Sequence, residues 1–149
     1  MKALLQRVSR AAVRVEGEEV ARIGAGLLIL FGVASEDRPG LEEKLALRCA
    51  ELRIFEDDQG RMNRSVREVG GAALVVPQFT LVADTTRGRR PSFDPAAPPE
   101  RAERAFQVFC DALRALDVPT ERGRFGASME VEITNMGPAT FLLDTASGA

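Results

Sequence analysis

Apolar and polar residues alternate roughly from Leu4 to Val15, break at Glu16-Gly17-Glu18-Glu19, and resume at Val20-Ala21-Arg22-Ile23. A two-residue period on both sides of a glycine-bearing acidic break predicts a β-hairpin. From Gly26 to Val33 the chain is continuously apolar, bordered by glycines on one side and Ser35-Glu36-Asp37 on the other. An unbroken run of that length predicts a strand buried on both faces and therefore central in a sheet. The period then changes. Leu41, Leu45, Cys49 and Leu52 recur at helical spacing, with Glu42 and Glu43 in the first turn, where the helix dipole favours acids. A helix of roughly 15 residues is expected there. Ile54-Phe55 predicts a short strand before the polar turn Glu56-Asp57-Asp58-Gln59-Gly60, whose acids lack the ligand spacing and terminal glutamate of a calcium loop.

A second strand-rich block runs from Gly71 through Leu81-Val82, and Asp84 to Pro99 is irregular. That segment, about 15 residues long, is of a length at which loops usually serve function. Pro98-Pro99-Glu100 opens a second helix, whose buried stripe is Ala102, Ala105, Phe106, Phe109, Leu113 and Leu116. From Thr120 to Leu143 the alternation returns and predicts two or three strands, interrupted at Gly123, Gly126 and Gly137-Pro138. The last ~6 residues are expected to fray. Strands, helix, strands, helix, strands argue for an α/β fold: one sheet-centred domain over residues 1–149, with two main helices packed on mixed or antiparallel strands.

Composition narrows the chemistry. With 45% hydrophobic and 28% charged residues the chain is ordinary globular material rather than a disordered one. Its longest apolar run is far too short to span a bilayer, and Met1 to Arg7 lacks the apolar core of a secretory signal, which predicts a cytoplasmic protein. Cys49 and Cys110 fall on apolar helical positions and read as core thiols. There is no histidine, so a histidine triad, a histidine-held metal and an imidazole base are all excluded. No CxxC pair and no phosphate-cradling glycine motif occurs; neither metal nor cofactor is expected. A net charge of −2 does not suit a non-specific nucleic-acid coat, yet all basic residues except Lys2 and Lys44 are arginine. Arg87, Arg89 and Arg90 cluster within four positions. Arginine forks suit phosphate, and a solvated loop accounts for them equally well.

Two stretches carry residues that buried strands do not need: Pro77-Gln78-Phe79-Thr80-Leu81 and Asn135-Met136-Gly137-Pro138-Ala139-Thr140. In an extended strand Gln78 and Thr80 share a face and Phe79 points to the other. Gln78 both donates and accepts, the Phe79 amide suits a developing oxyanion, and Thr80 offers a hydroxyl, which together make an acyl-transfer site without ionisable groups. No base adjoins Thr80 in the sequence to activate it. Gly137-Pro138 fits either an edge-strand turn or a tight loop that presents bare main chain to a ligand.

Gln78-Phe79-Thr80-Leu81 and Asn135 to Thr140 belong to a larger set. It includes Leu5-Gln6-Arg7-Val8, Asp84-Thr85-Thr86-Arg87-Gly88 with Arg90-Pro91-Ser92-Phe93, and Gly123-Arg124-Phe125 ahead of Met129. In this order, over nearly the whole chain, the set closely resembles the D-aminoacyl-tRNA deacylase family. The resemblance implies a homodimeric hydrolase that cleaves the ester between a D-amino acid and the terminal adenosine of tRNA, and clears glycine mischarged on tRNA for alanine. It further implies a cis Gly137-Pro138 step that enters the partner's active site and rejects L-amino acids by clash, with Arg7 holding that loop. Gln78 and the Phe79 amide are then expected at the ester, Ala102 and Met129 at the adenosine pocket, and Thr80 in the place of a candidate nucleophile. The vicinal ribose hydroxyl of the tRNA is the alternative to Thr80. Pro77 stands where the family usually has serine, and Ala139 where valine is usual. A tRNA-end or adenosine-binding module without chemistry is the rival reading, and a purely structural dimerisation domain a weaker third.

Overall fold

The computed structural model describes residues 1–147. Strand β1 (Lys2–Val15) turns at Glu16-Gly17 into β2 (Glu18–Ile23), and β3 (Gly26–Gly32) continues along the same side of β1. Helix α1 (Leu41–Glu51) and a small hairpin, β4 (Phe55–Glu56) with β5 (Met62–Arg64), cross to β6 (Ala72–Pro77), which lies parallel to β3. Helix α2 (Pro99–Ala115) crosses to β7 (Thr120–Arg122), parallel to β6. The long β8 (Glu130–Asp144) returns antiparallel along the other side of β1. Sheet order is β2-β1-β3-β6-β7 with β8 added on β1, so the mixed sheet with two main helices matches the expected class.

The rough alternation in β1 has a structural cause. Ala3 and Leu5 face the helices, whereas Val8, Ala11 and Val13 join a cluster on the opposite face. The phase changes across Val8–Arg10, where the register with β8 also shifts, as an extra residue in a ladder requires. β3 and β6 are buried on both faces: Leu27, Ile29, Phe31, Ala73 and Val75 meet the helices, and Leu28, Leu74 and Val76 the second cluster. On the helix side Phe31 stacks on Phe109 with ring centroids 4.4 Å apart. Both cysteines are buried in this core. Gly26 is required by close approach, since a Cβ there would overlap the Ala72 carbonyl group.

Three expectations are revised. Helix α1 covers 11 residues rather than about 15, because Leu52 is already extended (φ −60°, ψ 123°) and the chain must turn Ile54 and Phe55 into the core. The block after Gly71 leaves the sheet at Pro77, and Phe79–Val82 is one turn of 3-10 helix, so Gln78 and Thr80 do not share a strand face. The last third holds two strands, and Gly137-Pro138 lies inside β8 rather than between strands. Of the C-terminal residues expected to fray, Asp144 closes β8 and Thr145–Ser147 forms a 3-10 turn whose Thr145 N–H donates to the Met1 carbonyl at 2.9 Å. Residues 148 and 149 lie outside the described residues.

Candidate active site

Parallel β3 and β6 end side by side, tied by the Gln78 N–H donating to the Phe31 carbonyl at 2.8 Å. Beyond their C-terminal ends, the place where α/β sheets usually receive ligands, lies a cleft of about 770 Å³. Its walls come from the strand ends, the N-terminal half of α2 with Ala102 and Phe106, and the segment carrying Phe125, Ser128 and Met129. Among the described residues no ionisable side chain lines it; Gln78 and Ser128 are its polar side chains. Such a surface suits a flat apolar group, and Gln78 and main-chain amides supply the direction.

Proline at 77 ends strand pairing and the chain winds into the 3-10 turn, closed by Leu81 N–H to Gln78 O and Ala83 N–H to Thr80 O, each 3.2 Å. Phe79 is the first residue of that turn, so its N–H has no partner within it and remains available as a donor beside the cleft. The Gln78 side-chain amide donates to Thr80 Oγ1. Thr80 therefore acts as an acceptor that fixes Gln78, and among the described residues no base contacts its hydroxyl. Thr80 is exposed and does not line the cleft.

The second motif is held elsewhere. Gln6 faces Thr140 and Val8 faces Asn135, so Met136 to Ala139 stand opposite Arg7 alone and bulge from the ladder. Arg7 Nε donates to the Met136 carbonyl at 2.9 Å and Nη1 to the Ile54 carbonyl at 2.7 Å, a clamp between the bulge and the segment after α1. Asn135 Nδ2 donates back to the Arg7 carbonyl at 3.4 Å. The Gly137-Pro138 peptide is cis, and both residues are exposed. A Cβ on Gly137 would overlap Asn135 Oδ1, so a side chain there requires Asn135 to swing aside and give up its place in the bulge.

Gln78, Phe79, Ala102 and Met129 thus share one cleft, whereas Arg7, Thr80, Gly137 and Pro138 do not line it. A model of the family described as D-Tyr-tRNA(Tyr) deacylase matches residues 4–144. The chain belongs to this deacylase family. It is 54% identical to the D-aminoacyl-tRNA deacylase of Paracoccus denitrificans over 149 residues, all of both chains. It is 55% identical to that of Thermomicrobium roseum over 146 residues, 98% of this chain and 95% of the relative. A solved structure titled c-Myc DNA Unwinding Element Binding Protein superposes with TM-score 0.90 at 38% identity, covering 97% of this chain and 98% of that one. Another, titled as a probable eukaryotic D-amino acid tRNA deacylase, shares the fold at TM-score 0.75 and 21% identity over 96% and 98% of the two chains.

Within this deacylase framework Phe31, Phe93, Phe106 and Phe125 form walls that periodicity alone did not assign to the site. Phe106 was legible as a buried helical position, but only the crossover of α2 puts it beside the strand ends. Phe93 and Phe125 stand in the quoted motifs, and their aromatic character was the available signal. Among the described residues no cluster of metal-ligating side chains occurs and no helix is long and apolar enough to cross a membrane.

Proposed function

We propose that this deacylase binds the terminal adenosine of tRNA between Ala102 and Met129 and hydrolyses the ester of a D-amino acid held at Gln78 and the Phe79 amide. The observation that carries this is a cleft without ionisable side chains whose mouth offers a free helical-turn N–H. Water attacks the ester carbonyl carbon, and the negative charge that develops on oxygen is met by the Phe79 N–H. The vicinal ribose hydroxyl takes the proton from water and relays it to the departing 3′ oxygen as the acyl C–O bond breaks. Thr80 positions Gln78 on this reading and is not the nucleophile.

Selectivity comes from main chain. Gly137-Pro138 does not line the cleft of its own chain, and on this reading a second copy brings it there, where the main-chain carbonyls of Gly137-Pro138 occupy the space an L side chain would take. What supports such a pairing is β8, whose outer edge is unpaired among the described strands and whose Ile133, Met136 and Leu142 are exposed. On the same reading the protein is a homodimer with shared sites, in which glycine, having no side chain, passes the filter when mischarged on tRNA for alanine. Such proofreading of translation places the protein in the cytoplasm. Incubation with D-tyrosyl-tRNA and L-tyrosyl-tRNA tests the reading: selective release of D-tyrosine is expected, and equal hydrolysis of both, or binding without turnover, overturns it. Glycyl-tRNA for alanine is the second substrate, expected to be cleaved.

A further inference from the structure

The cleft accounts for a nucleoside and an amino acid but holds no charge to meet a phosphate. We propose that the loop carrying Arg87, Arg89 and Arg90 is a built phosphate-binding arm, which takes the single-stranded nucleotides immediately before the terminal adenosine. The inference rests on the deacylase reading and names a subsite for it.

Three features set this loop apart from a solvated turn. First, its base is fixed: Asp84 and Ser92 form an antiparallel bridge, each N–H donating to the other's carbonyl at 2.8 Å. Asp84 Oδ1 also accepts from the Thr86 N–H at 2.9 Å and the Thr86 hydroxyl at 2.6 Å. These bonds hold the Asp84 carboxyl below its ordinary range and commit it to the loop's own backbone. Second, the base is joined to the cleft, because Phe93 lines it and packs edge-on against Phe79 at 5.1 Å between centroids. Third, all three arginines are exposed, and among the described residues none forms an ion pair or a side-chain hydrogen bond. From Thr85 to Phe93 there is no acidic residue.

Distance selects the occupant. Each arginine lies within three residues of one end of the Asp84–Ser92 bridge, hence within about 10 Å of it at ~3.3 Å per extended residue. From a base adjoining the cleft-lining Phe93, that reach spans about three stacked nucleotides at ~3.4 Å each, which favours the nucleotides next to the terminal adenosine. An exposed aromatic edge beside unpaired guanidinium groups is the usual make-up of a single-strand platform. The fixed base of the loop lowers the ordering cost of binding, leaving only the arginine side chains to be ordered.

The test uses three D-tyrosyl esters: of adenosine, of the 5′-phosphorylated trinucleotide CCA, and of intact tRNA. The Arg87→Gln/Arg89→Gln/Arg90→Gln protein is compared with wild type after thermal unfolding shows that both are folded. The variant should lose on the order of tenfold more kcat/KM on the trinucleotide and tRNA esters than on the adenosine ester. With three phosphates at a slope of about 0.7 each, raising salt from 50 to 200 mM should cost wild type ~20-fold more than the variant on the trinucleotide. Equal losses on all three esters, a loss on tRNA alone, or no loss overturns the proposal. If wild type cleaves none of the esters, the deacylase reading fails by itself. The arm is then judged by binding of the uncharged trinucleotide, which the variant must weaken.

Discussion

Arg7 offers the sharpest test of how the bulge in β8 is held, because one side chain ties the bulge's Met136 carbonyl to the segment after α1. Arg7→Gln removes a donor to the Met136 carbonyl at 2.9 Å and another to the Ile54 carbonyl at 2.7 Å. Bonds from a charged donor contribute about 1.5–3 kcal/mol each when fully sheltered. Arg7 is half-buried and its Met136 contact exposed, so water replaces part of the loss, and the lower end, about 1.5 kcal/mol, applies to the bulge. At about 1.4 kcal/mol per decade this loosens the Gly137-Pro138 position roughly tenfold. If that position excludes L side chains, single-turnover deacylation of L-tyrosyl-tRNA should rise relative to D-tyrosyl-tRNA by about the same factor. Arg7→Lys should fall between, since one ammonium does not span both carbonyls as a planar fork does. A folded Arg7→Gln protein with the wild-type ratio of D to L hydrolysis would refute the reasoning.

Thr80→Ala removes only the acceptor that fixes Gln78, so activity should stay within about tenfold of wild type, and complete loss in folded protein would make Thr80 the nucleophile after all. No histidine exists and no ionisable side chain lines the cleft, so the pH–rate profile should show no inflection at about pH 6–7; a bell with a limb there contradicts the proposed chemistry. Burial pushes the Cys49 and Cys110 thiols from 9.0 up to about 12, so neither should react with a disulfide reagent in native protein at neutral pH, whereas both react in denaturant. Because the unfolded thiols ionise first, their contribution to stability is complete below pH 9.0 and declines as pH rises toward about 12; an unfolding midpoint that improves over that range is the contrary result. Gly26→Ala should abolish folding or cost on the order of 3 kcal/mol or more, since its Cβ meets backbone at Ala72 rather than a movable side chain; an unchanged melting temperature contradicts that packing.

What was legible in the sequence followed from period and burial. Gly26 to Val33 read as a central strand because a segment covered on both faces needs no polar residue, and β3 does lie between β1 and β6. Aromatic positions of α2 read as core for the same reason. Local chemistry was harder. Pro77 to Leu81 looked extended because Phe, Thr and Leu suit strands, but Pro77 ends the pairing and the turn that follows depends on tertiary position. The bulge at Met136 to Ala139 left only Gly-Pro as a mark, since a register shift is a relation between two strands and one strand does not display it. The clamp by Arg7 joins residues 129 positions apart, and no local pattern encodes a contact of that kind. It was expected solely because the motif set resembled a family.

The division of labour proposed for the two motifs has a physical logic. A side-chain filter for chirality would need to discriminate two groups of identical composition, and flexible side chains yield to a misplaced methyl at little cost. Main chain does not yield in that way, provided it is anchored at both ends. Here the bulge is anchored to the β1 ladder at Asn135 and Thr140, and Arg7 holds its Met136 carbonyl between those anchors. The same economy holds in the proposed ester site, where the donor assigned is the Phe79 N–H, placed by the Pro77 break and the turn after it. On the reading proposed, such a site would discriminate by shape and leave proton movement to the substrate's own hydroxyl, so a chain with no histidine would suffice for the reaction.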